Sequence, residues 1–226
     1  MKRLLLIVTC SLPIVAANII GLQYKGVESK YVDDRGTTHN ITIERVIEPL
    51  CLSLDISNDT LWEGEYASRT VPQRCTATLV TSVGQIQPMK LHKDVETFGE
   101  LEVLDFIEKM QKNLNMILID TRGEEWYHYR TIPSAKNLPY SYITKQNSFP
   151  KEFKEALKFL GVAKINGSYD FSQAKTVALF CNGSWCSQSP SMIKALLNLG
   201  YPATKIKWYR GGIHDWLGMS MTNTRP

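Results

Sequence analysis

The chain has no C-x-x-C pair, and its four histidines stand apart without paired ligand spacing, so no metal centre is written into it. No Gly-rich phosphate loop is present, which removes the common nucleotide-binding classes. Charge of one sign is also scarce. Basic residues number 26 against 22 acidic ones, and no basic run exceeds a dipeptide, so a nucleic-acid surface has no footing. Internal repeats and low-complexity tracts are missing. Beyond Leu22 no apolar run approaches the roughly 20 residues that a membrane-spanning helix needs. What remains is an ordinary globular composition: 43% hydrophobic and 21% charged over 226 residues, enough apolar material for a packed core and long enough for two small domains.

The N-terminus departs from that evenness. Lys2-Arg3 is followed by an almost unbroken apolar stretch over 4–17 that closes on Ala16-Ala17, with Val15 at the third place before a cut. This is the pattern of an export signal, and it predicts a signal peptide over 1–17 and a periplasmic mature protein. An uncleaved anchor reaching Leu22 is the alternative. Loss of Cys10 with the signal leaves Cys51, Cys75, Cys181 and Cys186 in an oxidising compartment. Cys51 and Cys75 are either a structural bridge, contributing on the order of 3 kcal/mol, or two small buried residues. Of four Asn-x-Ser/Thr triplets, at Asn40, Asn58, Asn166 and Asn182, the last falls inside the loop singled out below. A glycan there would block access, so a bacterial periplasm fits better than a eukaryotic secretory route.

Residues 18–94 read as an accessory, mainly β region. Short Val/Ile/Thr/Tyr runs are broken at Asp33-Asp34-Arg35-Gly36 and Ser57-Asn58-Asp59, and 76–83 and 86–91 are expected to pair as a hairpin. From 95 to 226 the texture changes. Thr97 with Glu100 has the capping-box spacing, ahead of a helix carrying Leu101, Leu104, Phe106, Ile107 and Met110. Continuous apolar runs at 116–119 and 176–180 read as buried parallel strands, with a third short strand at 205–209. Helices are expected from Glu124, over 153–160 up to Gly161, and over 192–199 up to Gly200. Strands alternating with helices imply right-handed crossovers and an open parallel sheet with helices on both faces.

In such sheets ligands bind at the carboxyl ends of strands. Two ends carry polar residues: Asp120-Thr121-Arg122, and Cys181-Asn182-Gly183-Ser184-Trp185-Cys186-Ser187 running into Gln188-Ser189-Pro190. Ser189 suits a helix cap and Pro190 a first helical turn. The loop's N–H groups are expected to converge as an anion cradle that lowers the Cys181 pKa and holds a persulfide sulfur or an oxyanion. A core cysteine belongs inside the strand rather than on a polar Gly-Ser loop, so Cys181 is the candidate nucleophile.

Asp120-Thr121-Arg122, Glu125-Trp126 and Ile132-Pro133-Ser134-Ala135 with Asn137-Leu138-Pro139 resemble the first signature of rhodanese-like domains. Tyr209-Arg210-Gly211-Gly212-Ile213-His214-Asp215-Trp216 resembles the one that closes them, with the strand-end cysteine between. The resemblance implies a rhodanese-like fold over 95–226. It further implies a sulfurtransferase that loads sulfane sulfur on Cys181 from a small anionic donor (thiosulfate or polysulfide). The sulfur then passes to a thiol or other nucleophilic acceptor, with a periplasmic protein partner conceivable and no cofactor required. Asp120, Arg122 and Arg210 would brace the loop. Trp216 reads as core, and His214 has no sequence partner that makes it a base or ligand. One departure matters. The basic residue that such domains place five positions after the cysteine is Cys186 here, which puts thiosulfate use in doubt and adds a resolving thiol. A Cys181–Cys186 redox switch and a non-catalytic sulfur-carrier or binding module therefore stand as alternatives. A bridge between the two needs their Cα atoms within about 7 Å.

Overall fold

The computed structural model describes residues 26–44 and 86–226. The export segment, Cys51, Cys75 and the expected strand at 76–83 lie outside the described residues. The described chain begins with an antiparallel hairpin, β1 (Val27–Val32) and β2 (Thr38–Ile43), and continues with β3 (Glu96–Phe98), α1 (Glu100–Met110), β4 (Met116–Asp120), α2 (Glu124–Tyr129), β5 (Lys136–Asn137), α3 (Ser141–Thr144) and α4 (Pro150–Phe159). A second hairpin, β6 (Ala163–Ile165) with β7 (Ser168–Asp170), precedes β8 (Thr176–Phe180), α5 (Gln188–Leu199), β9 (Ile206–Tyr209) and α6 (Gly212–Gly218).

Five strands form one sheet in the order β3-β9-β8-β4-β5, and every pairing in it is parallel. The apolar runs are continuous because both faces are covered. Along β8, Val177 and Leu179 pack on one side with Phe153 and Leu157 of α4 and Ile193 and Leu196 of α5. Ala178 and Phe180 pack on the other with Leu104 and Ile107 of α1 and Trp216 of α6. Each fully buried aliphatic side chain in these layers, such as Leu118 or Leu179, contributes roughly 2 kcal/mol of transfer free energy.

The first hairpin belongs to the second layer: Val27 and Ile43 lie in its core. Its turn is held by Asp33, whose Oδ1 accepts the N–H groups of Arg35 and Thr37, and by Gly36 at φ +79°. A main-chain bond from Thr222 N–H to the Glu44 carbonyl and a bond from Ser134 Oγ to the Lys30 carbonyl tie it to the distant C-terminal half.

Two local expectations are corrected. Residues 86–91 form no strand: Pro88 has no N–H for a ladder, and Gln87 bonds to the Ser184 carbonyl and to Arg210 instead. The cap of α1 is Gly99, with Glu102 reaching back to its N–H at 2.8 Å. Thr97 sits in β3 and bonds to Met89, while Glu100 accepts the Tyr209 hydroxyl at 2.9 Å.

Candidate active site

Cys181 follows the last residue of β8, and the seven residues from it to Ser187 turn the chain into α5. β8 is flanked on both sides in the sheet, so the cysteine emerges at the sheet's centre rather than at an edge. Its thiol is 2% exposed. Ser189 Oγ donates to Cys181 Sγ at 3.1 Å, and the buried Trp208 indole N–H donates to the same Ser189 oxygen at 3.1 Å. Ser189 is thus a bridge from the core to the sulfur and not the helix cap; Ser187 takes the capping position and faces solvent.

The loop's form is set by main-chain contacts. The Cys181 and Asn182 carbonyls accept the N–H groups of Ile213 and His214 at 3.0 and 2.9 Å. The Gly183 carbonyl accepts Cys186 N–H at 2.9 Å, and the Ser184 carbonyl accepts Gln87 N–H at 2.8 Å. Gly212 makes the first of these contacts feasible. It sits at φ +60°, and a Cβ there would lie 2.3 Å from the Cys181 carbonyl oxygen.

Asp120 and Arg122 form a fully buried fork, with Arg122 Nε to Oδ1 at 2.9 Å and Nη2 to Oδ2 at 2.6 Å. Thr131 Oγ1 adds a bond to the same carboxylate at 2.8 Å. From this anchor Arg122 Nη1 reaches Asn182 Oδ1 at 3.3 Å, so the pair does contact the loop. Thr121 joins the two strand ends through Phe180 O. Arg210 behaves differently from expectation. Its guanidinium clamps the Gln87 carbonyl at 2.9 and 3.1 Å, and Gln87 N–H in turn bonds the loop at the Ser184 carbonyl. Trp216 is core, as read from the sequence, with its N–H on Thr222 O. His214 does have a partner: Asp215 Oδ1 lies 3.1 Å from its Nδ1 and raises its pKa. The His214 Cβ abuts Gly183, where an added Cβ would stand 3.2 Å away.

The two thiols are reduced and electrostatically unequal, and the Cys181 sulfur lies 3.5 Å from the Cys186 carbonyl oxygen. Burial pushes the Cys181 thiol well up, and the neighbouring Cys186 sulfur pushes the same way. Cys186 is pulled down to about 7, first because the Cys181 thiol donates to it, and further because N–H groups of Gln188, Asn182 and Gly183 point at its sulfur. The cradle expected to activate Cys181 therefore faces Cys186. Cys181 lies flush with the strand end inside the core, where desolvation dominates, while the curl of the loop carries Cys186 into its centre. Trp185 Nε1 is buried without an acceptor among the described residues. Ser187 borders a cleft of about 710 Å³ whose walls include Gln87, Leu91 and Lys194.

The family model for the rhodanese-like domain matches residues 103–219, just over half of the chain, and its span contains both strand ends, the cysteine loop and α6. The chain belongs to the rhodanese-like domain family. Solved structures similar to it are distant in sequence. A Bacillus halodurans protein is 20% identical, with 58% of this chain and 77% of that one covered at a TM-score of 0.39. An Escherichia coli rhodanese solved with anions is 21% identical, covering 49% and 99% at 0.31. A rhodanese-related protein of Thermoplasma volcanium is 19% identical, covering 52% and 92% at 0.34. No curated protein matches the chain.

Within the rhodanese-like domain, sequence reasoning gathered Asp120, Arg122, Cys181, Asn182 and Cys186 into one place. It missed Ser189 and Trp208, whose link to the sulfur depends on helix rotation and not on spacing, and Gln87, which lies before the family span. A cue for Gln87 existed in Pro88, which weakens the strand reading of that segment. Among the described residues, no group of His, Cys, Asp or Glu could hold a metal ion, and no helix is long and apolar enough to cross a membrane.

Proposed function

We propose that this protein is an exported, periplasmic sulfurtransferase that carries sulfane sulfur as a persulfide on Cys181. The observation that carries this reading is the Cys181 thiol at the carboxyl end of the central strand β8, where Ser189 Oγ donates to its sulfur and the loop to Ser187 turns the chain into α5. Cys181 gives up its thiol proton to solvent as its sulfur takes sulfane sulfur from the donor, and the donor's remainder leaves with the bonding electron pair. Ser189 Oγ supplies a hydrogen bond to the sulfur. Asp120 and Arg122, acting through Asn182, hold the loop's first residue in place.

The donor is a small sulfur anion. No Lys or Arg occurs from 181 to 187, Arg122 is engaged by Asp120, and Arg210 by Gln87. With no loop cation to hold an oxyanion, polysulfide is favoured over thiosulfate. Lys194, on the cleft that borders Ser187, provides a positive wall for its approach. The acceptor is a thiol or another nucleophile. The test is intact mass of the reduced protein after exposure to polysulfide or thiosulfate, with C181S and C186S alongside. Sulfur gained in C186S and absent from C181S supports the reading; sulfur gained equally by C181S sinks it.

A further inference from the structure

A sulfur atom added to Cys181 enters occupied space. The Cys181 thiol lies 3.5 Å from the Cys186 carbonyl oxygen, and the bond from Cys186 N–H to the Gly183 carbonyl folds the loop back on itself. The N–H groups of Asn182, Gly183 and Gln188, which would steady the outer sulfur of a persulfide, already converge on Cys186. The persulfide and Cys186 therefore compete for one cradle, and the second thiol stands against the first at the moment of loading. Both cysteines are buried, at 2% and 6% exposure, so an external acceptor reaches Cys181 less readily than Cys186 does.

Resting on the loading reading above, we propose that Cys186 is a built-in resolving nucleophile that closes a disulfide with Cys181 and expels the carried sulfur as hydrosulfide. The Cys186 thiolate, its proton already given to solvent, attacks Cys181 Sγ. The Sγ–Sγ bond forms as the bond from Cys181 Sγ to the outer sulfur breaks, and the electron pair leaves with that sulfur, which keeps the persulfide proton and departs as HS⁻. The two cysteines lose two electrons together, and the sulfane sulfur gains them. A dithiol reductant, small or protein-borne, resets the disulfide for the next turn. The product is free sulfide in place of a sulfurated acceptor. The Cys186 pKa of about 7 suits this role, because an attacking thiol works best with its pKa near the ambient pH.

The experiment uses the full reduced chain, without oxygen and without free thiols. Polysulfide is added in one portion, with an untreated sample as control. Sulfide is measured against that released by C181S, and peptide mapping locates sulfur and disulfides in wild type, C186S and C186A. The expected result is a Cys181–Cys186 disulfide in wild type, with excess sulfide equimolar to chain and no retained sulfur. Both Cys186 variants should instead stop with sulfur held on Cys181. Wild type that keeps its persulfide as long as C186S overturns the resolving role while leaving the loading reading intact. Sulfur mapped onto Cys186 overturns it too, since attack then falls on the outer sulfur. No sulfur on Cys181 in any variant, together with no disulfide, removes the loading reading and this inference with it.

Discussion

Gly212→Ala is expected to damage the protein far more than an ordinary glycine substitution, by a route that can be worked through in advance. Residue 212 adopts φ +60°, which costs an L-residue roughly 1–2 kcal/mol. The new Cβ would stand 2.3 Å from the Cys181 carbonyl oxygen, 2.8 Å from the Gly183 nitrogen and 2.9 Å from the Asn182 carbonyl carbon. All three are backbone atoms, which cannot swing aside as a side chain can, so overpacking adds about 1–3 kcal/mol. Pushing the loops apart also breaks the bonds from Ile213 N–H to Cys181 O and from His214 N–H to Asn182 O, about 1 kcal/mol each. The total is roughly 4–7 kcal/mol, a large part of the 5–15 kcal/mol that holds a typical domain folded. Gly36→Ala is the matched control, because φ is +79° there and no atom lies within 4 Å of the added Cβ. Thermal unfolding followed by circular dichroism should drop by about 8 °C or more for G212A and about 2–6 °C for G36A. Equal drops, or a G212A protein in which Cys181 and Cys186 stay as protected from alkylation as in wild type, would refute the claim that this abutment shapes the loop.

Alkylation of Cys186 should rise with pH through a midpoint near 7, while Cys181, whose pKa burial raises, should react only at higher pH. Because the Cys181 thiol is the largest cause of the depression, C181A should move that midpoint upward. The Cys186 pKa is depressed from 9.0 to about 7, so its contribution to stability is full above pH 9 and is lost as pH falls through 7. The denaturation midpoint of wild type should therefore climb relative to C186A between pH 7 and 9, and parallel curves would contradict it. Arg122→Ala strands the buried Asp120 carboxylate and should cost about 3–5 kcal/mol in urea denaturation. The D120N/R122M double variant should cost much less than the sum of its single changes, and simple additivity would argue against a coupled fork. Arg210→Ala releases the Gln87 carbonyl and should speed amide hydrogen exchange across 86–91, with unchanged exchange counting against the strap.

The central strands were legible because they are buried on two faces, which leaves nearly unbroken apolar runs at 116–120 and 176–180. The strands at the sheet's rims were not. Lys136–Asn137 and Glu96–Phe98 hold their places through partners in β4 and β9 and carry little pattern of their own. The β6–β7 hairpin had a turn signal in Asn166-Gly167, but the three residues of β6 are all exposed and show no alternation. At the site, the strand-end rule located Cys181, Asp120 and Arg122 from sequence alone. Which sulfur receives the N–H groups depends on how the loop curls, and that curl is imposed by α6 and by Gln87, remote in sequence. Burial of Cys181 reversed the expected pKa direction for the same reason: the polar sequence around it does not reveal how deep the strand end lies.

The loop's four consecutive carbonyls, from Cys181 to Ser184, each accept a main-chain N–H. Its outline is therefore specified in large part by peptide groups, which do not depend on the identity of the side chains that carry them. Such a loop is a socket. Exchanging Cys186 for lysine or arginine would remove the sulfur that the N–H groups of Asn182, Gly183 and Gln188 now face and place a larger, charged side chain at a position only 6% exposed. One position would thus decide whether this scaffold discharges sulfur by itself or waits for another molecule to take it.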